Sequence, residues 1–363
     1  MKNTLVIIFL TLVFLFLPQS VLAIYSPLSA DNNLFGIHVT DESDLTDAAK
    51  LVNGSTAQWG YVTFVIREDE RDHERWQKFF NTLSSLKLIP IVRIATKIEE
   101  SNWKRPEISE ASNWANFLNS LKWPILNRYV IIFNEPNHAS EWGGEINPGE
   151  YAHILRSYTM AFKSKSDNFF ILPAAIDASA QDSKNSTSFI SFVEGMILKD
   201  NNIFKIIDGW NSHSYPNPGF SGSTQDSGRG TIKSFTWEIE YLSKFGLKKD
   251  IPVFITETGW SAETKSENDI SENYAKAFLT VWNQSNIIAV TPFILDYANL
   301  PFSHFSFKNA VTGKYYKFFE TIAGIPKLKG KPLRDNVSIF EQVGTIKENV
   351  IKNSIENIAQ KLN

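Results

Sequence analysis

Two glutamates stand at positions that ordinary packing does not explain. Glu135 follows Asn134 at the end of the apolar run 129–133 and precedes Pro136 and Asn137. Glu257 follows Thr256 at the end of another apolar run, 252–255, and precedes Thr258, Gly259 and Trp260. Burying an unpaired polar or charged group costs free energy. Each glutamate therefore either marks the point where a strand leaves the core for solvent or is held there for chemistry. Two carboxylates on either side of one bond can divide the work of breaking it. One, protonated, gives its proton to the leaving oxygen; the other, ionised, attacks the adjacent carbon or activates a water. The pair must then differ in protonation at the same pH.

The elements around them decide whether they can meet. Short apolar runs begin at Leu34, Tyr61, Ile89, Tyr129, Phe169, Ile206, Pro252 and Ala289. Continuous apolarity suits strands buried on both faces, as in a parallel sheet. Between them lie amphipathic stretches, among them 72–86, 147–162 and 269–282, with apolar residues at helical spacing and acidic or Asn/Pro starts. Eight such units without a composition break fit an α/β fold of one domain, a (β/α)8 TIM barrel. The rival, a doubly wound open sheet, normally has a glycine-rich phosphate turn after its first strand, and GIHVTDESD is not one. In the barrel, chemistry gathers at the C-terminal strand ends. Glu135 on strand four and Glu257 on strand seven then face each other across one mouth.

Other polar residues fall at the same level. Arg67 ends strand two, Arg93 and Thr96 lie on strand three, His213 and Tyr215 end strand six, and Asp296 and Tyr297 end strand eight. Arg67, His213 and Tyr215 are suited to keep one carboxylate anionic by charge and hydrogen bonding. Each has a plainer reading. Arg67 sits in the charge run REDERDHER and is also a candidate solvated loop residue; Arg93, inside IPIVRIA, is a candidate structural partner for a core carboxylate. His213 and Tyr215 alternate along a strand and share a face, which packing alone also explains. His38 reads as a core histidine. Trp142 and Trp260, close behind the two glutamates, are candidate platforms for a ligand with apolar faces, against simple packing.

The set IFNEPN, HSY and ITETGW, in that order and on those strands, resembles the retaining (β/α)8 glycoside hydrolases of clan A, which include endoglucanases, mannanases and xylosidases. The resemblance spans about residues 34 to 325. It implies that Glu135 is the acid/base and Glu257 the nucleophile. It implies further that Asn134 binds the sugar 2-hydroxyl, that His213 and Tyr215 contact substrate and nucleophile, and that Arg67 lies near the nucleophile. The substrate would be a polysaccharide or oligosaccharide. The chain departs from the pattern at strand three, which reads IVRIAT where some families carry His. It departs again at strand eight, PFILDY, where many carry Trp; Phe293, Asp296 or Tyr297 would stand in. A non-catalytic carbohydrate-binding barrel and a transglycosylase using the same residues are the alternatives.

Composition narrows the rest. The 363 residues carry a net charge of −3, which gives no reason to expect nucleic acid as a partner. With no cysteine, disulfides, thiolate metal sites and a cysteine nucleophile are excluded. No histidine or carboxylate cluster has metal-ligand spacing, and no Gly-x-Ser-x-Gly elbow is present; no metal or cofactor is expected. Residues 1–23, with Lys2 before an apolar run and Val21-Leu22-Ala23 at the end, read as a signal peptide for export. Membrane attachment is expected only if that segment stays uncleaved. The catalytic barrel is expected over 24–330, and 331–363 read as a short helical C-terminal extension.

Overall fold

The computed structural model describes residues 24–334, so the expected signal segment and most of the expected helical extension lie outside the described residues. Eight parallel strands form the sheet: β1 (Leu34–His38), β2 (Gly60–Arg67), β3 (Leu88–Ala95), β4 (Arg128–Ile132), β5 (Phe169–Pro173), β6 (Trp210–His213), β7 (Val253–Glu257) and β8 (Ile287–Val290). Their order, β5-β4-β3-β2-β1-β8-β7-β6, leaves, among the described residues, only the junction between β5 and β6 without a ladder. That seam is closed otherwise: Asp208 takes the Ile171 amide at 2.7 Å, and the Asn211 amide donates to the Pro173 carbonyl at 3.1 Å. The protein is thus a (β/α)8 barrel, as the eight apolar runs predict.

The strand residues sort by alternation into two cores. Tyr61, Ile89, Ile91, Tyr129, Ile131, Phe170, Leu172 and Phe254 fill the barrel interior. Val62, Phe64, Val92, Val130, Ile171, Val253 and Ile255 point outward under the helices. The helix signals read from sequence produce helices with matching caps. Asp72 caps α2 (His73–Ser85) through the Arg75 amide, and Asn147 caps α4 (Pro148–Lys165) through Glu150. Ser266 opens α7 (Glu267–Lys276) with a capping box. The other helices are α1 (Leu45–Asn53), α3 (Ala111–Ser120), α5 (Phe189–Lys199), α6 (Ser234–Ser243) and α8 (Lys317–Gly324).

Three strands are placed differently from the sequence reading: β3 stops before Thr96, and β6 starts only at Trp210 and stops before Tyr215. The eighth strand runs Ile287–Val290, so Phe293, Asp296 and Tyr297 belong to the loop that follows it. Pro292 has no N–H to continue the ladder, and Asp296 is tied to Lys308 at 2.6 Å.

Candidate active site

Local backbone devices aim the two glutamates. After β4, Phe133 adopts a left-handed φ of 68° and Glu135 a φ of 26°. Such values are costly for residues with a Cβ and persist where packing over-determines them. Here the Phe133 ring is swung against Trp142 and Tyr158 in the outer core, and the Glu135 carbonyl accepts the His138 amide at 2.9 Å. On β7, strict alternation would place Glu257 on the face opposite Phe254 and Thr256. A register shift against β6, where Ser212 pairs with Ile255 but His213 pairs with Glu257, supplies the extra residue that re-aims a side chain.

The result is a compact polar cluster. His213 Nδ1 lies 2.7 Å from Glu135 Oε1 and 3.7 Å from Glu257 Oε2. The nearest oxygens of the two glutamates are therefore separated by no more than the sum of those distances, about 6.4 Å. Arg93 Nη1 meets Glu257 Oε1 at 3.3 Å, and the Tyr215 hydroxyl donates to Glu257 Oε2 at 3.2 Å. Burial pushes the Glu257 carboxyl up, but His213, Arg93 and the Tyr215 hydroxyl outweigh it and hold the group below the usual carboxylate range. Burial likewise opposes a charge on His213, yet the two carboxylates raise its pKa. Burial and the carboxylates keep the Tyr215 hydroxyl protonated far up the pH scale.

The structure thus brings together Asn134, Glu135, His213, Tyr215 and Glu257. Three other expected site residues are not at this cluster. Arg67 is occupied by Asp69 at 3.0 Å and Glu70 at 3.3 Å, on a half-exposed rim. It shares the inward parity of Tyr61 and Thr63, but the register pairs Val65 with Arg93, which sets Arg67 one layer further out. Arg93 takes the place expected of it. Trp142 and Trp260 are buried, at 0% and 2% exposure, so neither ring offers a face to a ligand. Their indole N–H groups are satisfied by Glu150 and by the Gly222 carbonyl, each at 2.8 Å. The reason is packing: Trp142 sits edge-on to Phe133 and Tyr151, and Trp260 edge-on to Tyr274.

Glu141 was not singled out from sequence. It lies in the single helical turn Ala139–Glu141 after Glu135, within reach of the Asn134 side chain. Burial, aided by repulsion from Glu135 and Glu257 and opposed by Arg93 and the Asn134 side chain, raises its pKa to about 7. The sequence signal was only its closeness to Glu135. His38 is buried, edge-on to Phe293 at 5.1 Å, with both ring nitrogens unpartnered. Burial lowers its pKa to about 3, so it is neutral. Among the described residues no group of three or more His, Asp or Glu is placed to hold a metal ion.

The fold is a (β/α)8 barrel with two carboxylates, Glu135 after β4 and Glu257 at the end of β7, gathered around His213. Residues 102–309, more than half of the chain, match the family "Glycosyl hydrolase catalytic core". The chain belongs to this family: it is a glycoside hydrolase, with carbohydrate as substrate. No curated protein matches it. Among solved structures it is similar to a family 39 glycoside hydrolase from Bacteroides cellulosilyticus WH2, at 14% identity and a TM-score of 0.54. That match covers 83% of this chain and 64% of the relative, so the chain spans under two thirds of that protein's length. It is also similar to a family 128 (subgroup II) endo-beta-1,3-glucanase from Sorangium cellulosum, at 14% identity and TM-score 0.52, covering 81% of this chain and 98% of that one. Endoglucanase Cel5A from Thermotoga maritima matches at 13% identity and TM-score 0.55, covering 82% of this chain and 100% of that one. At these identities the likeness is one of fold.

Proposed function

We propose that the protein is an exported glycosidase that cleaves O-glycosidic bonds of poly- or oligosaccharides by retaining double displacement. Glu257 is the nucleophile and Glu135 the acid/base. The observation that carries this reading is His213 Nδ1 within 2.7 Å of one carboxylate and 3.7 Å of the other. The nearest oxygens of the two carboxyls, no more than about 6.4 Å apart, leave room for the about 5–5.5 Å spacing of retaining enzymes, which supports this reading.

The environment of Glu257 supports its role. Glu257, held ionised by Arg93, His213 and Tyr215, attacks the anomeric carbon while the Glu135 carboxyl protonates the leaving oxygen. The covalent sugar ester on Glu257 is then hydrolysed by water that Glu135, now the base, deprotonates. Asn134, next to Glu135 in the chain, holds the sugar 2-hydroxyl in this reading. Export rests on the signal-like pattern of residues 1–23. The similar structures include endo-beta-1,3-glucanases and an endoglucanase, which puts β-glucans first in a substrate panel.

The test is rescue chemistry with an activated aryl glycoside. Glu257→Ala abolishes turnover, and added azide restores it with a glycosyl azide of inverted configuration. Glu135→Ala keeps the first step with activated leaving groups, which need no acid, and azide gives the retained product. The opposite pattern exchanges the roles. Wild-type hydrolysis with inversion, followed by NMR of the first-formed anomer, rejects the mechanism.

A further inference from the structure

The platform expected of Trp142 and Trp260 has another candidate. Of the ten tryptophans, eight are buried, and Trp237 stacks on Tyr241 with ring centroids 5.6 Å apart. Trp103 differs. It is partly exposed, and among the described residues its ring has no aromatic partner and its indole N–H no acceptor. It lies on a small hairpin in the loop after β3, where Ile98–Glu99 pairs antiparallel with Asn102–Trp103.

Two observations place this hairpin beside the catalytic centre. Its second strand packs against the turn Ala139–Glu141, and the Trp103 carbonyl accepts the Gly143 amide at 3.0 Å. The turn carries Glu141, which faces Glu135, Arg93 and Glu257. The Trp103 backbone thus abuts the segment that follows Glu135 in the chain. It also lines an open groove of about 730 Å³ with Glu99, Lys104, Glu107 and Ile108. A flat indole beside exposed carboxylates and a lysine matches a pyranose, whose axial C–H faces are apolar and whose rim is hydroxyls.

We infer that the Ile98–Trp103 hairpin forms an outlying sugar subsite, with Trp103 as its stacking platform, so that the enzyme grips a glycan chain beyond the two sugars at the cleaved bond. The inference rests on the glycosidase reading above and narrows its substrate to chains. Ionic groups around the groove hold one another (Lys104 with Glu107 at 2.8 Å, and with Glu68 at 3.6 Å) and present fixed hydrogen-bonding edges to hydroxyls.

The experiment uses the silenced Glu257→Ala protein and calorimetric titration with β-1,3- and β-1,4-glucan oligosaccharides of two to six sugars. Affinity rises with length until the chain reaches the hairpin. Adding Trp103→Ala weakens the longest bound oligosaccharide about ten-fold and flattens the length dependence; Trp103→Phe, which keeps a ring, recovers most of it. An unchanged length dependence in Trp103→Ala overturns the inference, as does equal weakening of short and long chains or the absence of length-dependent binding. Hydrolysis by the wild-type enzyme is scored separately on the same panel. Cleavage without a Trp103 effect sinks the subsite alone, whereas a wild type that cleaves no member sinks the glucan choice and leaves the binding result standing.

Discussion

Replacing Arg93 by methionine removes the guanidinium that meets Glu257 at 3.3 Å, between side chains only 13% and 12% exposed. At that distance, with an effective dielectric of about 20, the bare attraction is about 5 kcal/mol. Leaving one member of a buried pair uncompensated costs about 3–5 kcal/mol. His213 and Tyr215 still touch the carboxylate, so the expected loss is at the lower end, about 3 kcal/mol, or about 4–5 °C in Tm for a chain of this length. The sign with pH follows from the direction of the shift. Glu257 is held below its ordinary range, so its contribution to stability is present above its unfolded pKa and is lost as pH falls through the folded one. The penalty of Arg93→Met is therefore large at neutral pH and shrinks in acid, where Glu257 is protonated in both proteins. The acidic limb of kcat/KM moves to higher pH, and kcat/KM at neutral pH falls about a hundredfold through lost orientation of the nucleophile. Arg93→Lys keeps the charge and recovers part of both. Calorimetry at neutral and acidic pH, with a pH profile on an aryl glycoside, reads these effects. A pH-independent Tm penalty with an unmoved acidic limb would refute the reasoning.

Tyr215→Phe removes the hydroxyl that donates to Glu257 at 3.2 Å; one such charge-assisted bond is worth about 1.5–3 kcal/mol, so kcat/KM falls at least ten-fold and its acidic limb shifts upward. Trp142→Ala empties a fully buried site and lowers stability by about 3–5 kcal/mol, while KM of the folded variant stays within about two-fold; a large KM rise at unchanged Tm would return Trp142 to the substrate. Glu141, with its pKa raised to about 7, loses stability as pH rises from its ordinary carboxylate range through 7. Glu141→Gln is therefore neutral in stability in acid and stabilising, by about 3 kcal/mol, above pH 7, as read by denaturant unfolding at pH 4 and pH 8.

The sequence by itself determined the barrel, because the information for it is local. Eight buried strands announce themselves as continuous apolar runs, and helices by spacing and caps such as Asp72 and Ser266. It also put Glu135, Glu257, His213 and Tyr215 at strand ends, since a carboxylate or imidazole closing an apolar run is visible in one dimension. What it could not carry is direction and depth. Glu257 has the wrong parity for the barrel mouth until a register shift between β6 and β7 turns it inward, and that shift belongs to the pairing of two strands. Arg67 reads from sequence as the arginine near the nucleophile and Arg93 as a structural partner for a core carboxylate. The β2–β3 register puts them one layer apart, and the deeper one reaches Glu257 while the shallower meets Asp69 and Glu70. Trp142 and Trp260 lie close to the glutamates along the chain but are drawn into the outer core, where their large apolar rings gain more from burial than from solvent. Glu141 enters the site, and Trp103 remains partly open, through loop packing that depends on residues far away in sequence. Side-chain type and order are written in the chain; which side chain meets which is settled only when strands tilt, shift and pack.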